Sequence, residues 1–269
     1  MASRTFLALQ NEGYLMGGCL RTALVLLKKS SPGNKAQLYA ALFNYSIGLE
    51  RLFKLVVLFE HCLAHDGAFP NFQVLKSAGH NLNDLYKMGL GIASQRQIDC
   101  PASCRGDEID GRIISLLSGF AVSGRYFNLD RLTGGTGSAD PLPELAALLS
   151  AIYERDVPAM TRAKSENEAD AIACLVKPGF IDVGVTGLAG EEQFREDFYQ
   201  NGRKYMLAQR ELLWRLARLL VPYSLLIEQQ VTLLHANEKD EEDDFPMMDE
   251  FLDFICEDRK ATLSDLKRM

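Results

Sequence analysis

Two histidines four residues apart are the first candidate for chemistry. His61 and His65 share one face of a predicted helix, with Cys62 beside them. Imidazoles at this spacing can hold a transition metal, but a structural zinc site needs two more ligands and a catalytic site at least one more. Cys100 and Cys104 offer thiols, yet nothing in the sequence places them near this helix. We therefore expect surface histidines and no bound metal.

Two other short patterns lack residues that their chemistry requires. Cys100 and Cys104 form a CxxxC pair, whereas redox proteins and zinc ribbons use CxxC. Residues 134–137 (GGTG) are not followed by the Lys-Ser/Thr of a phosphate-binding loop. The sequence also has no GxSxG nucleophile elbow. We expect no cofactor.

A charged pair and a histidine form a third group. Glu50 and Lys54, within residues 48–55 (GLERLFKL), have the favourable i, i+4 order on a helix. As a surface ion pair they would stabilise the protein by only about 0.3–0.5 kcal/mol. His80 precedes Asn81, which is placed to cap the start of the next helix. In the structural interpretation, His80 simply packs at that helix start.

Apolar periodicity close to 3.6 residues runs through most of the chain and indicates helices. The glycine-rich stretch 119–140 reads as a connection. Pro222 should kink the long helix in which it lies. We predict helices over residues 13–29, 35–65, 72–76, 82–94, 108–117, 140–153 and 191–236.

The predicted fold is therefore all-α, an antiparallel four- or five-helix bundle over residues 1–160 with a helical extension over 161–269. In the extension, residues 161–190 have a weak pattern, and 180–185 alternate like a short strand with no obvious partner. Residues 238–244 (EKDEEDD) form an acidic linker. Phe251, Leu252, Phe254 and Ile255 predict a last amphipathic helix, a candidate face for a protein partner.

The composition and net charge of the chain argue against several classes of protein. The chain has 269 residues, 47% of them hydrophobic, and a net charge of −7. This acidic balance disfavours broad binding to nucleic acid, which needs clustered Lys and Arg, although a local basic groove is not excluded. The sequence has no secretory signal and no uncharged 18-residue span, and its six cysteines read as reduced thiols. We expect a cytoplasmic protein that does not bind membranes.

A long helix carrying GLERLFKL, followed by GHNLNDL (79–85) and later by GRYFN (124–128), resembles the HEPN superfamily of helical-bundle proteins. The resemblance covers roughly residues 35–153. It implies a bundle that forms homodimers and, in active members, a metal-independent endoribonuclease, often in toxin–antitoxin or antiviral defence systems. In such enzymes a histidine takes the proton of the ribose 2′-OH, and an arginine stabilises the charge that develops on phosphate.

The resemblance places the arginine at Arg125, but the chain departs from the pattern around it. Tyr126 replaces the usual polar neighbour, and no histidine follows before His235. Asp130 stands near the expected position of the histidine, although a carboxylate of ordinary pKa is a poor proton shuttle at neutral pH. His80 is the other candidate for the base. In the alternative, Arg125 forms an ion pair at its helix head and has no catalytic part.

Two hypotheses follow from these residues. The first is a HEPN-like protein acting on RNA, an endoribonuclease with an altered site in which Arg125 and His80 meet in one cleft. The second is a non-catalytic helical interaction module that uses the same bundle as a scaffold. It predicts an apolar patch near the C-terminal helix and no convergence of polar groups around Arg125.

Overall fold

Helices make up most of the chain in the computed structural model, which describes residues 3–77, 79–136, 139–175, 181–237 and 245–268. Their extensive packing against one another confirms the all-α bundle. Of the described residues, no helix combines the length and the apolar character needed to cross a membrane. The helices are α1 (Arg4–Lys29), α2 (Lys35–Ala64), α3 (Phe72–Ser77), α4 (Leu82–Gln95), α5 (Glu108–Val122), α6 (Phe127–Leu132), α7 (Pro141–Asp156), α8 (Ala159–Leu175), α9 (Arg195–Asn237) and α10 (Arg259–Arg268).

The first two long helices pack antiparallel. Glu12 near the start of α1 pairs with Arg51 in α2, whereas Leu20, further along α1, packs against Gly48, which comes earlier in α2. A side chain at Gly48 would overlap Leu20, so the missing Cβ allows the two helices this close approach. Gly48 is therefore a packing position.

Helix α9 lies in the core of the bundle, where it contacts α1, α2, α4, α7 and α8. Tyr45 donates a hydrogen bond to the backbone oxygen of Leu216 at 2.6 Å, and Tyr223 donates to that of Tyr86 at 2.9 Å. Pro222 lies within this helix. The hydrophobic core thus continues across residue 160, and the division into two domains there stays a prediction.

The region between α7 and α9 differs from the sequence-based prediction. Helix α8 covers the first half of the segment whose pattern was weak. The predicted strand is present as β1 (Ile181–Thr186), and its partner is β2 (Glu192–Phe194), with which it pairs antiparallel. The helix predicted from residue 191 therefore begins later, at Arg195. Residue 180 of the predicted strand and the acidic stretch 238–244 lie outside the described residues.

The predicted amphipathic helix around Phe251 is wrong. Residues Met248–Leu252 form a 3₁₀ turn, and the last helix, α10, begins only at Arg259. The apolar side chains of the turn pack inward: Leu252 is 1% exposed, and the ring of Phe251 fills the space beside Gly13 on α1. The chain itself therefore buries Leu252 and Phe254 and partly buries Phe251 and Ile255.

Candidate functional site

A groove of about 880 Å³ opens on one side of the bundle, where α1, α2 and the end of α5 meet the segment that precedes α4. Its volume is within the range of small-molecule sites, roughly 300–1,000 Å³. Apolar and charged side chains both face it. The lining residues are Glu12, Phe43, Ser46, Ile47, Glu50, Arg51, Lys54, Leu55, Leu58, Leu75, His80, Phe120, Ala121, Val122 and Arg125.

The structure thus places Arg125 and His80 in one groove, although 45 positions separate them in the sequence. His80 lies in the turn before α4, and Arg125 lies in the 3₁₀ turn Gly124–Tyr126 that follows α5. Asn81 joins these two parts of the chain, because its side chain caps α4 and also accepts a hydrogen bond from Ser118 of α5 at 2.9 Å.

His80 belongs to a three-residue charged cluster with Glu50 and Lys54 of α2. The Nδ1 atom of His80 lies 2.8 Å from Oε1 of Glu50, and Nζ of Lys54 donates to the same oxygen at 2.7 Å. Residues four apart share a helix face, so α2 presents Glu50 and Lys54 together. Since 78% of the His80 side chain is exposed, solvent and ligands can reach the ring.

Lys54 and His80 determine the charge state of Glu50. Burial of its carboxyl group favours the neutral form, but the hydrogen bonds from Lys54 and His80 outweigh that effect and lower the pKa below its usual value. Glu50 is therefore a carboxylate at neutral pH. It can accept hydrogen bonds, and it has no proton to supply to a substrate.

Arg125 is exposed, and its guanidinium lies 4.9 Å from the centre of the Tyr126 ring. The ion pair at the helix head, which was the structural alternative for this arginine, does not occur among the residues that the structure describes. Stacking on an aromatic face leaves the hydrogen-bond donors at the edge of a guanidinium available. Arg125 can therefore bind a phosphate or carboxylate in the groove.

Asp130 is not among the residues that line the groove. It lies on α6, half-buried, and its backbone oxygen accepts a hydrogen bond from the Gly135 amide at 2.7 Å. The two residues that the sequence offered as alternative bases therefore occupy different places, and His80 is the one that shares the groove with Arg125.

The rest of the lining provides an apolar surface and a second charged edge. Phe43 is 43% exposed and Val122 62% exposed, so the groove offers these side chains to a ligand. Arg51 pairs with Glu12, which offsets its charge. Among the positively charged residues that line the groove and that the structure describes, Arg125 is the one without a carboxylate partner. The groove suits a molecule with an apolar or aromatic part next to an anionic group.

A second charged cluster, buried in the bundle, was not predicted from the sequence. Asp110 is completely buried, and Arg215, which is 3% exposed, donates to it at 2.9 Å. Arg215 also donates to Asp107 and Asp156, and Arg218 donates to both Asp107 and Asp110. This cluster joins α7 and α9 to the start of α5, so we assign it a structural role.

Hydrogen bonding determines the charge of Asp107 in this cluster. Partial burial disfavours its charged form, but hydrogen bonds from Arg215, the Asp110 backbone and Arg218 lower the carboxyl pKa to about 2. The clue in the sequence was Arg215 and Arg218 within the largely apolar stretch 212–227 of α9, since buried arginines require carboxylate partners.

The two histidines that suggested metal chemistry do not line the groove. His61 and His65 stack with ring centres 3.9 Å apart, and Nδ1 of His65 lies 2.8 Å from the backbone oxygen of His61. Burial raises the pKa of the Cys62 thiol to about 11, which disfavours the thiolate that metals bind. Within the described ranges, no three His, Cys, Asp or Glu side chains form a group suited to a metal ion.

Comparison of the chain with protein-family models, with curated proteins and with solved structures found no match.

Proposed function

We propose that this chain is a HEPN-like, metal-independent endoribonuclease with an altered site, in which His80 serves as the base and Arg125 as the cation. The observation that carries the proposal is the shared groove, which brings an exposed imidazole and a guanidinium without a carboxylate partner to one cavity. General-base catalysis and stabilisation of developing charge are the two requirements of RNA cleavage through the ribose 2′-OH.

In the proposed reaction, His80 accepts the proton of a ribose 2′-OH, and the freed oxygen attacks the adjacent phosphorus. The bond from phosphorus to the 5′-oxygen of the next nucleotide breaks, and that oxygen takes a proton from the imidazolium or from water. The products are a 2′,3′-cyclic phosphate and a 5′-hydroxyl. Arg125 binds the phosphoryl oxygens, where negative charge increases in the transition state.

The test is to incubate the purified protein with mixed single-stranded and structured RNAs in EDTA. We expect cleavage by the wild type and a loss of at least about 100-fold in His80→Ala and Arg125→Ala, the usual contribution of a positioned base or charge. His65→Ala and Arg131→Ala are matched controls, because both residues are exposed and lie outside the groove. An inactive wild type, or equal losses in the controls, contradicts the proposal.

An interaction module in the same RNA-related or defence context is the second candidate, and exposed leucines favour it. Leu129 is 62% exposed and Leu132 82% exposed on the short helix α6. An exposed apolar face of this kind suits a protein interface. If this face pairs two copies into a homodimer, Leu132→Asp should yield monomers in light scattering, whereas Met160→Asp, at an equally exposed position on α8, should not.

A further inference from the structure

The ring nitrogen of His80 that faces Glu50 can have only one role in the neutral imidazole, because each nitrogen is either a donor or an acceptor. Nδ1 lies 2.8 Å from Oε1 of Glu50 and 3.4 Å from Nζ of Lys54. If Nδ1 were the acceptor, its lone pair would face a carboxylate oxygen at hydrogen-bond distance, which is repulsive. Within the part of the chain that the structure describes, its donor would be Lys54, whose Nζ lies beyond the usual range of roughly 2.7–3.2 Å.

The opposite assignment satisfies all three groups. Nδ1–H donates to Glu50 at 2.8 Å, and Lys54 donates to the same oxygen at 2.7 Å. A carboxylate oxygen has two lone pairs and can accept both bonds. Glu50 is ionised and can only accept hydrogen bonds, because the same two hydrogen bonds lower its carboxyl pKa. Nδ1 is thereby occupied, and Nε2 carries the lone pair.

We infer that Glu50 is a positioning residue, whose carboxylate holds His80 in the Nδ1–H tautomer so that Nε2 accepts the proton of a ligand in the groove. The inference rests on the proposed function, since it assigns the basic atom of the proposed reaction. A carboxylate that orients a histidine in this way is a recurring part of acid–base sites. Free imidazole favours the Nε2–H tautomer, so the effect of Glu50 is measurable.

The first experiment reads the tautomer of His80 by ¹⁵N NMR of the full-length protein at about pH 9, above the ordinary titration range of imidazole. The chain has four histidines, and His80→Gln assigns the relevant signals. We expect His80 to carry its proton on Nδ1. A wild-type His80 that is mainly Nε2–H overturns the inference, whatever the activity of the protein.

The variants then test the cause. Glu50→Ala should return His80 to mainly Nε2–H, whereas Glu12→Ala removes another carboxylate of the same groove and should leave the Nδ1–H form. Lys54→Ala should also leave it, because Lys54 donates to Glu50. Dispersed amide spectra identify the variants that are folded. An Nδ1–H form that persists in folded Glu50→Ala overturns the inference.

Kinetics connects the tautomer with the proposed function. Glu50→Ala should lower kcat for RNA cleavage about tenfold with KM changed less than about twofold, as expected for a residue that orients a base and does not bind substrate. A changed KM with an unchanged kcat overturns the positioning role. If the wild type is Nδ1–H but cleaves no RNA, the positioning of His80 stands and only the proposed ribonuclease fails.

Discussion

Asp110 illustrates how strongly the stability of the fold can depend on a single buried charge. Its carboxylate is completely buried and accepts hydrogen bonds from Arg215 and Arg218. Removing one partner of a buried ion pair leaves the other charge without compensation, which usually destabilises a protein by about 3–5 kcal/mol. The Nε atom of Arg218 is buried without a hydrogen-bond partner, so the cluster already contains one unsatisfied donor.

We therefore expect Asp110→Ala to lower the free energy of unfolding by at least about 3 kcal/mol, measured by urea denaturation at pH 7. Asp84→Ala is the control, because Asp84 is an exposed acid in the first turn of α4. It should change stability by less than about 1 kcal/mol. Equal losses in the two variants would show that Asp110 does not act through the buried arginines.

Residues near one another in sequence were easier to interpret than those brought together by folding. The pairing of Glu50 with Lys54 follows from helical spacing alone. That His80 joins this pair depends on the path of the chain through α3 and the turn before α4, which no local pattern specifies. The contact between Asp107 and Arg215 joins residues 108 positions apart, and residue types alone do not identify such partners.

At the scale of elements, the helices with a strong apolar stripe were predicted well. Most of their ends lie within a few residues of the predicted positions. Helix α2 was predicted over 35–65 and spans Lys35–Ala64. Helix α8 was missed because most of its residues are exposed and it has little apolar periodicity. Apolar residues around Phe251 suggested a helix, although burial of a 3₁₀ turn requires the same residue types.

Two neighbouring glycines on α1 test how the C-terminal segment packs. A Cβ at Gly17 would overlap the backbone oxygen of Phe251, whereas one at Gly18 would meet nothing within 4 Å. Gly17→Ala should therefore destabilise the protein by about 1–3 kcal/mol through overpacking. Gly18→Ala should stabilise it by about 0.5–1 kcal/mol through helix propensity. Thermal unfolding measures both; shifts of the same sign would contradict this packing.

The start of α4 has a second role, because it holds His80 against α2. Asn81 accepts hydrogen bonds from the Asn83 amide and from Ser118, so Asn81→Ala should destabilise the protein by about 1–2 kcal/mol. Asn34→Ala removes a cap that bonds only the Gln37 amide, and should destabilise by about 0.5–1 kcal/mol. Denaturant midpoints compare the two variants. A smaller loss at Asn81 would show that its bond to Ser118 contributes nothing.

At the scale of the whole molecule, the buried charged cluster connects helices that are far apart in the chain. Asp107 caps the start of α5, Asp156 ends α7, and Arg215 lies in the middle of α9. Acid should therefore weaken the packing of the whole bundle, since protonating Asp107 removes a charged partner of the arginines.

The folded-state pKa of Asp107, about 2, lies below its ordinary value of 3.8. The unfolded chain therefore binds this proton more readily, and the stabilisation is complete above about pH 4 and lost as the pH falls through about 2. We expect Asp107→Asn to be less stable than the wild type at pH 7, measured by urea denaturation. Because protonated Asp107 resembles asparagine, that difference should shrink between pH 4 and pH 2 by about 1–2 kcal/mol, allowing for solvent screening. A difference that stays constant with pH would mean that Asp107 stabilises the bundle through its cap and not through its charge.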